Sequence, residues 1–279
     1  MEKQNQHFIQ QAYMKGFSPY YFEDNCEKWE KEQIFVLNKQ DNSIKQTTVN
    51  NVGCRKNYYS VYNENLELDS RIENIFNIVE SDFIRFREQL IKIINQINLT
   101  NKPGQLNSKY RTTICEYVKL NYIRIPKIMD WIYKEAEKHE KRISEKYKVE
   151  YNKYSHQNIS VRTMLSLFDV RGKDLAEYFF ENDIHFEFFG RTKGTLITSD
   201  NPVIFYNDNN PPGLAYDDTI IIFPIDQNKL VKFIKDDGKD KYLRIQDMNY
   251  VDKINHILYG NATSEVYGPS SNILSRLNE

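Results

Sequence analysis

The chain has 279 residues, of which 40% are hydrophobic and 14% aromatic, which is enough for a sizeable core and excludes general disorder. Its formal net charge of −1 creates no overall positive field, so a nucleic-acid role requires a local basic patch. The cysteines Cys26, Cys54 and Cys115 are far apart and odd in number, which argues against a disulfide framework. Neither an apolar leader nor an apolar run of membrane length is present, so we expect a soluble, cytoplasmic protein without a membrane partner.

The N-terminal third combines an aromatic motif with strands. Residues 6–17 (Gln-His-Phe, then Tyr13 and Gly-Phe) can bury three aromatic rings, and His7 is either a structural residue or a general acid–base. Strands are predicted at 33–38 and 44–49, joined as a hairpin, with a third strand at 57–62.

The clearest predicted element is a long helix. Apolar residues recur every three or four positions from Ile72 to Ile97, which is typical of one buried helical stripe. Ser70 and Glu73 have the spacing of a capping box at its start. Glu73 and Glu80 share nearly one helix face, so Glu73 either caps the helix or projects with Glu80 into a site.

Further helices follow this one. A second helix begins near Ser108 and must stop or kink at Pro126, which puts Arg124 in its last regular turn. There Arg124 either pairs with the helix C-terminus or points toward a carboxylate or phosphate. Residues 134–153 are charged and predict a solvated helical arm, and a fourth helix runs from 160 to 179 with an interruption near Gly172.

The C-terminal part returns to strands. Predicted there are a hairpin of 184–189 with 195–198, a strand pair 219–225 and 229–234, a helix at about 247–258 and a short strand at 266–267. The order is strands, a central block of long helices, then an antiparallel or mixed sheet with a C-terminal helix. We therefore predict an α+β fold with one domain over residues 1–279, with the arm at 134–153 as the place of any division into two lobes.

The run Thr195–Phe205 contains the densest polar signal. Two β-rich pieces flank Ser199-Asp200-Asn201-Pro202, and the proline prevents this tetrapeptide from continuing as a central strand. Asp200 and Asn201 at the end of a buried strand either aim a carboxylate and an amide at a ligand or form an Asx-turn.

Three motifs in this order resemble one known family. They are Gln6-His7-Phe8 with Tyr13 and Gly16-Phe17, then Arg124-Ile-Pro126, then Leu196-Ile-Thr-Ser-Asp-Asn-Pro-Val203. This set is similar to the bacterial family called domain of unknown function 4238, over roughly residues 5–268. The chain departs from the family at Ile9-Gln10, where a proline is usual. The resemblance implies functional positions but no activity: Gln6, His7, Arg124, Ser199, Asp200 and Asn201.

The chemistry of these positions supports three hypotheses. Sequence motifs for a phosphate-binding P-loop, a dinucleotide-binding turn, a zinc site or a serine-hydrolase elbow are missing from the sequence. The first hypothesis is a phosphodiester hydrolase, a nuclease-like effector, in which His7 is the general acid–base, Arg124 stabilises phosphate charge, and Asp200 orients His7 or holds Mg²⁺ or Mn²⁺.

The second hypothesis is a non-catalytic module that binds a nucleotide, a nucleic acid or a protein through the same groups. In it, Gln6, Ser199, Asn201 and Glu73 contact the ligand beside Arg124. The third hypothesis is a buried polar network that only joins the N-terminal segment to the central strand. Both functional hypotheses require that His7, Arg124 and Asp200 meet in one hollow.

Overall fold

The computed structural model describes residues 5–62, 68–69, 71–100, 108–147, 153–169, 178–179, 181–190, 195–207, 216 and 218–278. The helices are α1 (Gln11–Met14), α2 (Arg71–Thr100), α3 (Ser108–Ile123), α4 (Pro126–Tyr147), α5 (Lys153–Asp169), α6 (Met248–Asn261) and α7 (Ser271–Ser275). Short 3₁₀ turns lie at Lys15–Phe17, Glu30–Glu32, Val49–Asn51 and Arg276–Asn278.

The strands form two larger sheets and two small pairs. They are β1 (Asn5–His7), β2 (Gln33–Asn38), β3 (Ile44–Thr48), β4 (Cys54–Lys56), β5 (Val61–Tyr62), β6 (Leu68–Asp69), β7 (Asp183–Phe189), β8 (Thr198–Ser199), β9 (Ile204–Tyr206), β10 (Ile220–Asp226), β11 (Lys229–Ile234), β12 (Lys241–Ile245) and β13 (Glu265–Gly268). One sheet has the order β12-β7-β11-β10-β9 and the other β3-β2-β13-β8, while β1 pairs with β4 and β5 with β6. The predicted α+β fold is confirmed.

Two predicted hairpins are present and one prediction is wrong. Strands β2 and β3 pair antiparallel, as do β10 and β11. The expected hairpin of 184–189 with 195–198 does not form, because β7 pairs with β11 on one side and with β12 on the other. Every residue of β7 is buried, which is the pattern of a central strand that has no free edge for β8.

The Ser199–Pro202 turn carries the chain from one sheet to the other. Strand β8 pairs with β13 in the four-stranded sheet, and β9 pairs with β10 in the five-stranded sheet. The polar tetrapeptide between them is therefore a sheet-switching corner, and the proline that prevents strand continuation stands inside it.

The helical block agrees with the apolar periodicity. Helix α2 covers the predicted stripe, α3 ends at Ile123, and α4 starts at Pro126, a position where a missing N–H costs nothing. The predicted arm continues α4 without a break as far as Tyr147. Ser70, residues 148–152 and the expected interruption near Gly172 lie outside the described residues.

The N-terminal motif is packed deeply between the sheets. The Tyr13 ring is fully buried, and its hydroxyl bonds both the Thr198 hydroxyl of β8 and the Pro224 carbonyl of β10, each at 2.8 Å. Gly16 has no room for a side chain, because an added Cβ would lie 2.9 Å from the Asp226 Cβ. These contacts fix the position of β1 and α1, which bear the first candidate site residues.

Candidate functional site

Gln6 holds the backbone around β1 in place. Strand β1 pairs with β4, so that Gln6 lies opposite Arg55 and His7 opposite Cys54. The buried Gln6 side chain accepts a hydrogen bond from the Tyr59 backbone N–H, and the Tyr59 hydroxyl donates to the Arg124 carbonyl at 2.8 Å. Gln6 therefore connects β1, through Tyr59, to the corner between α3 and α4.

His7 is a partly buried, neutral imidazole. The Gln11 amide Nε2 donates to the His7 Nε2 at 2.7 Å, which leaves the ring proton on Nδ1. Burial lowers the pKa of His7, the Val52 backbone opposes that shift, and the Arg124 charge adds to it. At neutral pH the ring is thus uncharged, with its proton on Nδ1 and with the basic Nε2 already hydrogen-bonded to Gln11.

Arg124 is a buried cation with only part of its hydrogen-bonding capacity used. The residue is 1% exposed, in the two-residue corner between α3 and α4. Its Nη1 donates to the Glu80 carboxylate at 2.5 Å, and the guanidinium carbon lies 5.7 Å from the centre of the Phe76 ring. Nε and Nη2 are buried and find no acceptor among the described residues. Burial disfavours the charged form, but Glu80, Tyr59 and Tyr117 together outweigh it and raise the pKa of Arg124.

His7 and Arg124 both line one hollow of about 430 Å³, here called the first hollow. Its wall comes from β1, α1 and the turn after it, from Tyr59, from α2 and from the α3–α4 corner. Apart from His7 and Arg124, the polar lining consists of four carboxamides, one lysine and one carboxylate: Asn5, Gln10, Gln11, Asn77, Lys15 and Glu80. The charged members are already paired, Lys15 with Glu32 at 2.8 Å and Arg124 with Glu80.

Asp200 lies in a different place and is held by backbone. Its two carboxylate oxygens accept from the N–H groups of Thr263, Ser264 and Glu265 at 2.8, 2.7 and 3.3 Å. Burial raises the pKa of the Asp200 carboxyl, while these three N–H groups oppose that shift. The side chain thus fixes the loop between α6 and β13 to the corner that follows β8.

This carboxylate lines a second hollow, of about 640 Å³. Also in its wall are Phe8, Arg55 and Pro126, the first residue of α4. Arg55 is half exposed, and its two terminal nitrogens contact the Asp130 carboxylate at 2.7 and 3.4 Å. The charges of the second hollow are therefore largely matched within the protein.

The side chains of Ser199 and Asn201 stabilise the turn between β8 and β9. The Ser199 hydroxyl accepts from the Asn201 N–H at 3.2 Å. The Asn201 amide donates to the Asn261 carbonyl at 3.1 Å, and the Asn261 amide returns a bond to the Asn201 carbonyl at 3.0 Å. These side chains satisfy buried backbone groups at a turn that would otherwise leave them unpaired.

A family model described as "Protein of unknown function (DUF4238)" matches residues 5–272, nearly the whole chain. The chain belongs to this family. No curated protein and no solved structure matches it in the other two comparisons.

The motifs by which the DUF4238 chain resembles its family do not converge on one hollow. His7 and Arg124 line the first hollow, whereas Asp200 lines the second, so the expectation that the three meet is wrong. The two hollows meet different parts of the N-terminal segment: Asn5 and His7 of β1 line the first hollow, whereas Phe8, the residue after β1, lines the second.

The prediction of Glu73 as a ligand residue is not tested, and other lining residues of the first hollow were not predicted. Glu73 lies in α2, but its side chain is outside the described residues, and Glu80, two turns further along, is the residue that pairs with Arg124. Gln10, Gln11 and Lys15 were missed, although all three stand within the N-terminal motif. The sequence feature that could have indicated them is the cluster of polar residues between the aromatic residues of that motif.

Two wider features of the described residues bear on function. No group of three or more His, Cys, Asp or Glu side chains comes together there in a way that could hold a metal ion. None of the helices in the described ranges combines the length and apolarity that crossing a bilayer requires.

Proposed function

We propose that this protein is a binding module for a small anionic ligand of the nucleotide class, with Arg124 as its anchor in the first hollow. One observation carries this proposal: the Nε and Nη2 groups of Arg124 are buried, and neither has an acceptor among the described residues. Buried polar groups are nearly always hydrogen-bonded, so an unsatisfied pair on one cation indicates a missing acceptor.

The geometry of the unused groups favours an oxyanion. Nε and Nη2 lie on the same edge of the planar guanidinium, and that edge binds two oxygens of a phosphate or carboxylate at once. Glu80 occupies the other terminal nitrogen and holds the guanidinium against the Phe76 ring. Because Arg124 lines the hollow, an anion seated there lies next to a cation that is already oriented.

The carboxamides favour a nucleotide over a simple anion. Asn5, Gln10, Gln11 and Asn77 bring donors and acceptors into the same wall. Carboxamides pair with the edges of nucleobases, which present adjacent donors and acceptors. A volume of about 430 Å³ lies within the range of sites for small organic ligands.

A nucleotide panel measured by thermal shift and calorimetry tests this proposal. We expect at least one nucleotide to stabilise the wild-type protein and to lose its effect in the double variant Arg124→Gln with Glu80→Gln. That variant removes one charge of each sign, so net charge and pairing stay balanced. Arg55→Gln, in the second hollow, is the matched control and should keep binding. If no nucleotide stabilises the wild type, the proposal fails.

The neutral imidazole supports a second candidate, hydrolysis of a phosphodiester in the same hollow. The lowered pKa of His7 favours the neutral ring, whose unprotonated Nε2 can act as a general base once a water molecule replaces Gln11 beside it. His7 would accept a proton from the attacking water as the P–O bond to the leaving oxygen breaks, and would then return that proton to the leaving oxygen. Asp200 is not available to orient it, since both carboxylate oxygens bind backbone N–H groups.

Turnover separates the two candidates. Dinucleotides incubated with Mg²⁺ or Mn²⁺ should yield product if the second candidate holds, and His7→Gln should then abolish product while leaving affinity in place. Stabilisation without product supports binding alone. We also propose a cytoplasmic location, which the three free cysteines support.

A further inference from the structure

We propose that the anionic group recognised in the first hollow carries a single negative charge, as the phosphodiester of a cyclic or internucleotide phosphate does. This inference rests on the proposed nucleotide binding and adds the charge and bonding state of the phosphate. It follows from two features of the hollow: its paired charges and its small size.

The charges of the wall are nearly balanced, so an anion with one negative charge fits it better than an anion with two. Lys15 is held by Glu32 at 2.8 Å and Arg124 by Glu80 at 2.5 Å, so each positive group already has a carboxylate beside it. His7 contributes no charge, since burial keeps its ring neutral. Arg124 lines the hollow, and its buried Nε and Nη2 have no acceptor among the described residues; this pair of N–H donors matches the two non-bridging oxygens of a diester.

A second negative charge would meet repulsion from the wall. Glu80 lines the hollow and stays beside Arg124, so a phosphate monoester or polyphosphate brings its extra charge toward that carboxylate. Like charges at short distance in a partly buried site repel strongly, because water screens them poorly. A diester bound at the free edge avoids this repulsion.

Polyphosphate sites usually use the N-terminus of a longer helix or a glycine-rich loop, whose N–H groups surround several oxygens. The helix start among the described lining residues is that of α1, a single turn of four residues whose first positions, Gln11 and Ala12, lie in the wall. The lining residues of α2 are Phe76, Asn77 and Glu80, which stand inside that helix, and Pro126, where α4 begins, lines the second hollow instead. The first hollow therefore recognises the phosphate through one side chain.

The size and lining suit a compact nucleotide. The hollow of about 430 Å³ is near the small end of ligand sites, as a single cyclic nucleotide or one nucleotide of a longer strand requires. Gln10 is oriented by the Tyr117 hydroxyl, which donates to its Oε1 at 2.8 Å, and Gln11 by His7. Oriented carboxamides of this kind recognise a base edge with little loss of side-chain freedom.

Calorimetry with four matched adenosine compounds tests the inference on the wild-type protein. They are cyclic adenosine monophosphate, adenosine 5′-monophosphate, adenosine triphosphate and adenosine 5′-carboxylic acid. The four corresponding guanosine compounds are measured in the same way. At about pH 8 the cyclic compound has one negative charge and the 5′-monophosphate two, because the second phosphate pKa is about 6. We expect the cyclic compound to bind about tenfold or more tightly than the monophosphate.

A single variant checks the cause of that preference. Glu80→Gln keeps an acceptor for the Arg124 Nη1 but removes the negative charge, so it should improve monophosphate affinity relative to the cyclic compound by about tenfold. An unchanged ratio in this variant would overturn the charge explanation.

The remaining outcomes are distinguishable. Tighter binding of the monophosphate or the triphosphate contradicts the single-charge inference, yet leaves nucleotide binding standing. Tighter binding of the carboxylic acid shows that the monoanion is a carboxylate and overturns the phosphodiester assignment. Absence of binding by every compound overturns the proposed function itself.

Discussion

The first and second hollows contain similar residues, but the hydrogen-bonding groups of those residues are satisfied to different degrees. Each has an arginine and a carboxylate, but in the second hollow Arg55 and Asp200 are both supplied with partners from the protein. In the first hollow Arg124 is almost fully buried and keeps two N–H groups without an acceptor in the described part of the chain. The larger hollow is therefore the one whose arginine and carboxylate have protein partners, so we base the proposed ligand site on hydrogen bonding and not on volume.

The positions that carry the family resemblance also fall into two groups. Gln6, Ser199, Asp200 and Asn201 bind backbone groups and build the corners of the fold. His7 and Arg124 face a hollow that contains charged and amide groups. We infer that one set preserves the fold and the other serves the ligand, and the following variants test that division.

The largest effect is expected from Arg124→Gln. It leaves the Glu80 carboxylate, which is mostly buried, without its cation, and removing one partner of a buried pair costs about 3–5 kcal/mol in the free energy of unfolding. Urea denaturation measures this. The exposed pair of the second hollow provides the control, since Arg55→Gln should cost no more than about 1 kcal/mol. Equal losses in the two variants would contradict the account.

Asp200→Asn should come next. The substitution removes the charge and replaces one accepting oxygen by an NH₂ group that faces backbone N–H donors. Because hydrogen bonds to charged groups contribute about 1.5–3 kcal/mol, we expect a loss of about 2–3 kcal/mol with ligand affinity unchanged. The exposed Asp130→Asn is its control. If Asp200→Asn has normal stability but altered ligand affinity, Asp200 belongs to the ligand site and the account is contradicted.

Much of the fold could be predicted from the sequence, because it depends on local patterns. The apolar stripe of α2, the stop at Pro126 and the β10–β11 pair all follow from periodicity and turn chemistry. The pairing of β7 with β11 and β12 could not be predicted, since a continuous apolar run does not specify its neighbours.

The candidate site could be predicted only in part, because local sequence patterns do not specify which distant residues come together. The individual residues were recognisable, but which of them meet depends on contacts far apart in sequence. Arg124 pairs with Glu80, 44 positions away, and Asp200 binds a loop more than 60 positions away. That His7 and Asp200 line different hollows is visible only in the folded structure.

Gly16→Ala should disturb both hollows together, because it shifts the segment that they share. The new Cβ would lie 2.9 Å from the Asp226 Cβ and 3.1 Å from the Arg87 guanidinium, and such overpacking costs about 1–2 kcal/mol. Gly260→Ala is the control, because it lies in α6 with open space around it and should be neutral or slightly stabilising. Melting temperatures of the two variants compare them directly.

His7→Gln should give the smallest effect, visible as a change in pH dependence. The pKa of His7 is lower in the folded protein than its ordinary value of 6.5, so below that value the unfolded chain binds a proton that the folded chain does not. Stability therefore falls as the pH drops through 6.5 toward the folded pKa and is constant above this window. Unfolding curves from neutral to mildly acidic pH should show a shallower fall for His7→Gln. An unchanged slope would mean that His7 is not the responsible group.

Calorimetric titration of cyclic adenosine monophosphate into three proteins compares the two hollows most directly. The proteins are the wild type, the double variant Arg124→Gln with Glu80→Gln, and Asp200→Asn. We predict that the double variant binds at least about tenfold more weakly, as loss of a bidentate charged contact requires, and that Asp200→Asn binds within about twofold of the wild type. Loss of affinity in Asp200→Asn with full affinity in the double variant would contradict the assignment of the ligand to the first hollow.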